Sequence, residues 1–107
     1  MKYWQQGDVL LRPVETDAIP EGRIVPPVDG KLILAHGEAT GHAHRISAMD
    51  GLTLIDARGE LFLRAMIPFT LTHDEHAPLE QMPPGAYKVS RVLEYDYWAE
   101  RAREVAD

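Results

Sequence analysis

The sequence predicts an all-β fold: a small antiparallel β-barrel or β-sandwich, with a candidate short helix at the C-terminus. Three observations predict it. About six short apolar runs recur along the chain, each bounded by Gly, Pro or Asp-Gly signals. No long helical pattern lies between them, so no βαβ crossover fits, and Rossmann and P-loop readings fail on context as well as motif. The length, 107 residues, suits one domain spanning 1–107.

Taken in order, Gly7-Asp8 reads as a turn entering a first strand at Val9, Leu10 and Leu11, broken near Pro13. Pro20, Pro26 and Pro27 make residues 15–30 a loop or a chain edge, because proline removes ladder donors. Asp29-Gly30 is a turn signal before Leu32, Ile33, Leu34 and Ala35. From His42 the pattern becomes strand-like, with His42, His44 and Ile46 on one parity. Asp50-Gly51 is a hairpin signal, with Leu52 to Ile55 as the returning strand. Arg58-Gly59 marks the next turn, and 60–67 the next strand, which Phe69 to Thr72 continue after a bend at Pro68. Residues 73–84 read as a second long loop, and Pro84-Gly85 opens a strand carrying Tyr87, Val89, Val92, Leu93 and Tyr95. Residues 96–107 hold helix formers, in a run too short to be stable unless packed.

Composition narrows the function classes. Seventeen acidic against eleven basic residues give a net charge of -6, and the basic residues are spaced singly. That argues against a nucleic-acid partner, which needs a basic stripe. The absence of cysteine excludes disulfides, thiol nucleophiles and thiolate-bound metal. No stretch approaches the roughly 18 apolar residues of a membrane span, and the N-terminus lacks an apolar signal core, so the expectation is a cytoplasmic protein without a membrane partner.

The histidines carry the best functional signal. Four of the five form two pairs, His42 and His44 in GHAH, and His73 and His76 in HDEH. Residues i and i+2 of a strand share a face, and i and i+3 of a turn can converge, so each pair can approach one ion. A three- or four-ligand nitrogen and oxygen site suits zinc, iron, nickel or manganese. His36 and Asp74 are candidates for an outer shell or an alternative ligand. Glu38 and Glu75 are candidate general bases beside a metal-bound water. Ser47 and Ser90 lack the context of a hydrolase nucleophile.

The segment around Gly37 and His42-Ala43-His44, with Pro84-Gly85 downstream, resembles part of the cupin pattern of small metal-binding β-barrels. The resemblance implies a barrel with an HxH metal motif. The chain departs from it at 46–49, where the cupin glutamate is replaced by Ile-Ser-Ala-Met, and after Pro84-Gly85, where Ala86, Tyr87 and Lys88 stand in place of a histidine.

The expected function is a small metal-binding protein with a histidine-centred site, able to support metal-assisted chemistry on a small-molecule ligand. The competing class is a non-enzymatic interaction or regulatory module, with its histidines in polar surface loops. Tyr3, Trp4, Tyr87, Tyr95, Tyr97 and Trp98 would then anchor a protein partner or a homodimer. The two classes differ in one observable: whether the histidine pairs come together, or stay apart beside a contiguous aromatic patch.

Overall fold

The structure is a computed structural model describing residues 2–37 and 41–92. Its strands are β1 (Trp4–Gln6), β2 (Val9–Val14), β3 (Arg23–Ile24), β4 (Lys31–His36), β5 (Ala43–Ser47), β6 (Leu52–Ala57), β7 (Glu60–Ala65), β8 (Phe69–Leu71), β9 (Leu79–Met82) and β10 (Gly85–Arg91). A single 3-10 turn, Thr16–Ala18, interrupts them. All pairings between strands are antiparallel. Six strands form one sheet in the order β1-β2-β10-β7-β6-β3, and β4-β5 and β8-β9 form two small sheets. The large sheet ends on β1 and β3, so the all-β expectation holds in an open, sandwich-like form without a closed barrel.

Alternation along the strands builds the core. Val9 and Leu11 of β2, Leu63 of β7 and Leu71 of β8 are fully buried. They pack with Leu32, Leu34 and Ile46 of the β4-β5 hairpin, and with Phe69, Met82, Tyr87 and Val89. Each such side chain withdrawn from water contributes roughly 1.5–3 kcal/mol of transfer free energy. On the opposite parity of β6 and β7, Ile55, Ala57 and Phe62 form a smaller group covered by Ile19. The large sheet therefore buries apolar side chains on both faces near β6 and β7.

Turn chemistry explains two chain reversals directly, the one that closes the Val28–Lys31 bridge and the β6-β7 hairpin. Asp29 and Gly30 both adopt positive φ (51° and 74°), as do Arg58 and Gly59 (56° and 86°). Two consecutive left-handed residues match the twist of flanking antiparallel strands. Asp56 reinforces the second turn, its carboxylate accepting the Gly59 N–H at 2.9 Å.

Three expectations are corrected. Asp50-Gly51 turns the chain but closes no hairpin: β5 pairs with β4, while β6 pairs with β3 and β7. The turn carries the chain from a small sheet to the large one. Pro13 does not break its strand, because β1 reaches only as far as Leu11, leaving residues 12–14 paired with β10 alone. An unpaired edge tolerates the missing N–H. Residues 73–84 are not one long loop, since 79–82 form β9 against β8. The helix expected at 96–107 lies outside the described residues, as do Tyr95, Tyr97 and Trp98.

A single bridge ties the two small sheets together. Arg45 and Thr72 exchange both backbone hydrogen bonds at 2.9 Å, joining β5 to the end of β8. The bridge lays residues 73–76 alongside 42–44.

Candidate functional site

The Arg45–Thr72 bridge brings the two histidine pairs together. The ring of His73 lies 4.4 Å from that of His44 and 4.6 Å from that of His76, centroid to centroid. His44 and His76 are 6.1 Å apart and nearly parallel. His42 joins through His73, edge to face at 5.9 Å. Two imidazoles on one tetrahedral ion, with metal–nitrogen bonds of about 2.0–2.1 Å, place their centroids roughly 5 Å apart. The ring spacings lie on either side of that value. Among the described residues, though, no three His, Asp or Glu side chains stand in coordinating geometry around one point. The Nδ1 atoms of His42, His44 and His73 each have a hydrogen-bond partner of their own.

His44 is the anchor. Its side chain is 1% exposed, on the parity of β5 that also buries Ile46. Its Nδ1 lies 2.7 Å from Oε1 of Gln6, itself buried. The amide of Gln6 has one allowed orientation, because its Nε2 donates to the carbonyls of Leu71 at 2.9 Å and Ala77 at 3.0 Å. Oε1 must then accept, so Nδ1 of His44 carries the hydrogen and Nε2 is bare in the neutral ring. Burial, reinforced by the neighbouring His73, pushes the pKa of His44 down to about 4, against the opposing pull of Asp8. The ring is neutral at pH 7.

Nε2 of His44 faces Oδ1 of Asp8 at 3.4 Å. The other oxygen of Asp8, Oδ2, is held by Arg91 from Nε at 2.9 Å and Nη2 at 2.5 Å. Burial raises the Asp8 pKa, but the bonds and charge of Arg91 outweigh it, and the carboxyl stays below its ordinary value. The backbone of Asp8 is tied as well, its carbonyl accepting the Val92 N–H at 2.9 Å.

The second pair is looser and closer to solvent. His76 is exposed and His73 half-buried. Nδ1 of His73 accepts the backbone N–H of Glu75 at 3.0 Å, and burial, then the charge of His76, lowers its pKa. Nδ1 of His42 lies 2.9 Å from Oε1 of Glu75. A carboxylate there selects the Nδ1–H tautomer of His42 and leaves its Nε2 free. Asp74 is committed elsewhere: its Oδ1 accepts from Arg45 at 3.0 Å and from the Ala43 N–H at 3.4 Å. Burial opposes its ionisation, yet these two bonds hold the Asp74 carboxyl below its usual range. Arg45 also donates to the Gly41 carbonyl at 2.6 Å, so Arg45 and Asp74 clamp the two histidine segments to each other.

Two glycines make room for the rings. A Cβ on Gly7 would stand 2.7 Å from Nε2 of His76 and 3.3 Å from Cε1 of His44. One on Gly37 would stand 2.9 Å from Nε2 of His73. Gly7 also has a φ of +57°, so the tight Gly7-Asp8 turn and the ring cradle need the same residue.

Of the residues singled out from sequence, His42, His44, His73, His76, Glu75 and Asp74 meet here. His36 ends β4 opposite Ala43, exposed, and makes no ring contact with the four among the described residues. It lines a cavity with Ile33, Ala35, Lys31 and Arg45 instead. Glu38 lies outside the described residues. Gln6, Gly7 and Asp8 were not expected at the site. Their one sequence signal is parity: Trp4 and Gln6 alternate on one face of a strand, so the glutamine occupies a position that points inward.

Among the described residues no helix is long and apolar enough to cross a membrane. The aromatic residues near the N-terminus divide: Tyr3 is exposed, while Trp4 packs edge-on against Tyr87 at 5.8 Å. No curated protein and no solved structure matches the chain. A family model matches residues 5–92, which runs from within β1 to the end of β10 and takes in every residue of the site, and the chain belongs to that family, a domain of unknown function designated DUF8820.

Proposed function

We propose that this protein binds one transition-metal ion through the histidines that its two small sheets bring together, with His44 as the fixed ligand and His42, His73 and His76 completing a nitrogen-rich set, His73 after its Nδ1 releases the Glu75 N–H. The observation that carries the reading is the tautomer of His44. A neutral imidazole with its hydrogen locked on Gln6 presents a bare Nε2, in a buried position, toward a carboxylate. Metal-ligating histidines are oriented in the same way, their second N–H held by a carbonyl or carboxylate.

The nitrogen and oxygen donors suit zinc, iron, nickel or manganese, and the absence of cysteine disfavours a closed structural zinc site. His76 and Glu75 are exposed, so solvent or a small molecule can reach the ion from that side. Glu75 is then the described carboxylate best sited to move a proton from bound water. The cysteine-free composition fits a reducing cytoplasm.

Titration of chelator-stripped protein with zinc tests the reading. One ion per chain is expected, with affinity lowered at least ~100-fold in the His44→Ala/His76→Ala variant, more than loss of an outer-shell partner brings. Zinc binding that is absent, or equal in the variant, would refute it.

A further inference from the structure

We infer that Asp8 is an anionic ligand of this metal site, supplied by the Gly7-Asp8 turn from the opposite side of the ring group. The inference rests on the metal-binding reading above and adds to it a residue outside the histidine motifs, 34 positions before the first of the four.

Two acceptors face one another here. Gln6 holds the hydrogen of His44 on Nδ1, which leaves a lone pair on Nε2. Oδ1 of Asp8 lies 3.4 Å away. A lone pair and a carboxylate oxygen repel at that distance unless a proton or a metal ion stands between them. A proton there would either neutralise the carboxyl that Arg91 pairs or charge a ring that is 1% exposed and packed against His73. A divalent ion meets no such obstacle, because it needs the bare nitrogen and the ionised carboxylate as they are.

The surroundings of Asp8 agree with a ligand. Arg91 takes both of its hydrogen bonds to Oδ2 and none to Oδ1. That pairing leaves Oδ1 as the oxygen that faces His44. The Val92 N–H holds the Asp8 carbonyl, so the turn itself is anchored to the large sheet. Gly7, one residue earlier, lets the rings approach the turn: a Cβ there would stand 2.7 Å from Nε2 of His76 and 3.3 Å from Cε1 of His44. The same turn thus sets a carboxylate oxygen and a glycine against two imidazoles. With His44 and Asp8 pinned to the sheet and His76 exposed, closure onto an ion requires movement only of the outer rings. A carboxylate beside imidazoles also supplies one negative charge, which favours a divalent cation over a neutral ligand.

The test uses the full chain, stripped of metal and titrated with cobalt(II), whose d–d absorption reports the ligand set. Asp8→Asn preserves size and the turn but removes the charge; it should weaken cobalt binding by ~30-fold or more and shift the d–d bands. Asp8→Glu should recover part of the affinity. Arg91→Met, which removes the ion pair and keeps the carboxylate, should weaken binding about tenfold, less than Asp8→Asn, and leave the d–d bands in place; it separates loss of a ligand from loss of its support if Asp8→Asn folds poorly. Wild-type spectrum and affinity in Asp8→Asn, alongside loss of binding in His44→Ala, would overturn the role of Asp8 while leaving the histidine site standing. An equal loss in Arg91→Met and Asp8→Asn would reduce Asp8 to a structural partner of Arg91. Failure of the wild-type protein to bind cobalt or zinc would overturn both readings.

Discussion

Gln6 and His44 share a 2.7 Å hydrogen bond in the protein interior, and that bond selects which nitrogen of His44 is available for chemistry. Gln6 can do this because two backbone carbonyls, those of Leu71 and Ala77, fix its amide. One glutamine therefore ties β1, the end of β8 and the loop before β9 to the ring at the centre of the site.

Replacing Gln6 by leucine strands two buried polar groups, the Nδ1–H of His44 and the Leu71 carbonyl, and leaves the exposed Ala77 carbonyl to solvent. Each unsatisfied buried group costs about 1–3 kcal/mol. We expect Gln6→Leu to lose at least ~2 kcal/mol in urea unfolding and to weaken zinc binding about tenfold or more. Unchanged stability would mean that water replaces the amide without loss.

Gly7→Ala separates the ring cradle from backbone strain. Gly7 and Gly30 both have positive φ, 57° and 74°, but a Cβ on Gly30 meets nothing within 4 Å. Each alanine should cost about 1–2 kcal/mol for the left-handed conformation. Only Gly7→Ala should also displace His76 and depress metal affinity. Equal affinity in the two variants would show that the contact at Gly7 is immaterial.

The metal-free protein should lose stability on mild acidification. His44 titrates near 6.5 when unfolded and near 4 when folded. Between those values the unfolded chain holds a proton that the folded chain refuses. The contribution is therefore fully present above pH 6.5 and declines as pH falls toward 4, by on the order of 3 kcal/mol at the bottom of the window. Unfolding free energies of wild type and His44→Gln at pH 7.5 and 4.5, with chelator present, measure it. The wild-type decline should exceed that of the variant, and parallel declines would contradict the assignment.

Core and surface should respond differently to the same kind of truncation. Leu63 is fully buried at the centre of the large sheet, whereas Met66, three residues later, is 75% exposed. Leu63→Ala should cost about 2–5 kcal/mol, and Met66→Ala about 0.5 kcal/mol or less. Similar losses in thermal or urea unfolding would place the core elsewhere.

Local chemistry was legible in the sequence wherever the structure is local. Asp29-Gly30 and Arg58-Gly59 announce their turns, because two left-handed residues leave few alternatives. Asp50-Gly51 misleads because a turn signal specifies a reversal and not the partner of the next strand; β6 finds β7 and β3 across the large sheet. β9 is hidden by prolines at 78, 83 and 84 that flank it without entering it. The four histidines and Glu75 could be named from type and spacing alone. Gln6 and Asp8 could not, since neither belongs to a histidine motif and their approach to His44 depends on how three sheets close on one core. A buried glutamine beside a Gly-Asp turn is the trace such a site leaves in a sequence.

The measurement that bears most directly on the central claim is elemental analysis of untagged protein, purified without chelator or nickel resin. The account predicts a transition metal near one equivalent per chain, removed by the His42→Ala/His44→Ala substitution. Metal-free protein that also fails to take up zinc, iron, nickel or manganese would contradict it, and would leave the gathered rings as a buried polar feature of an interaction module.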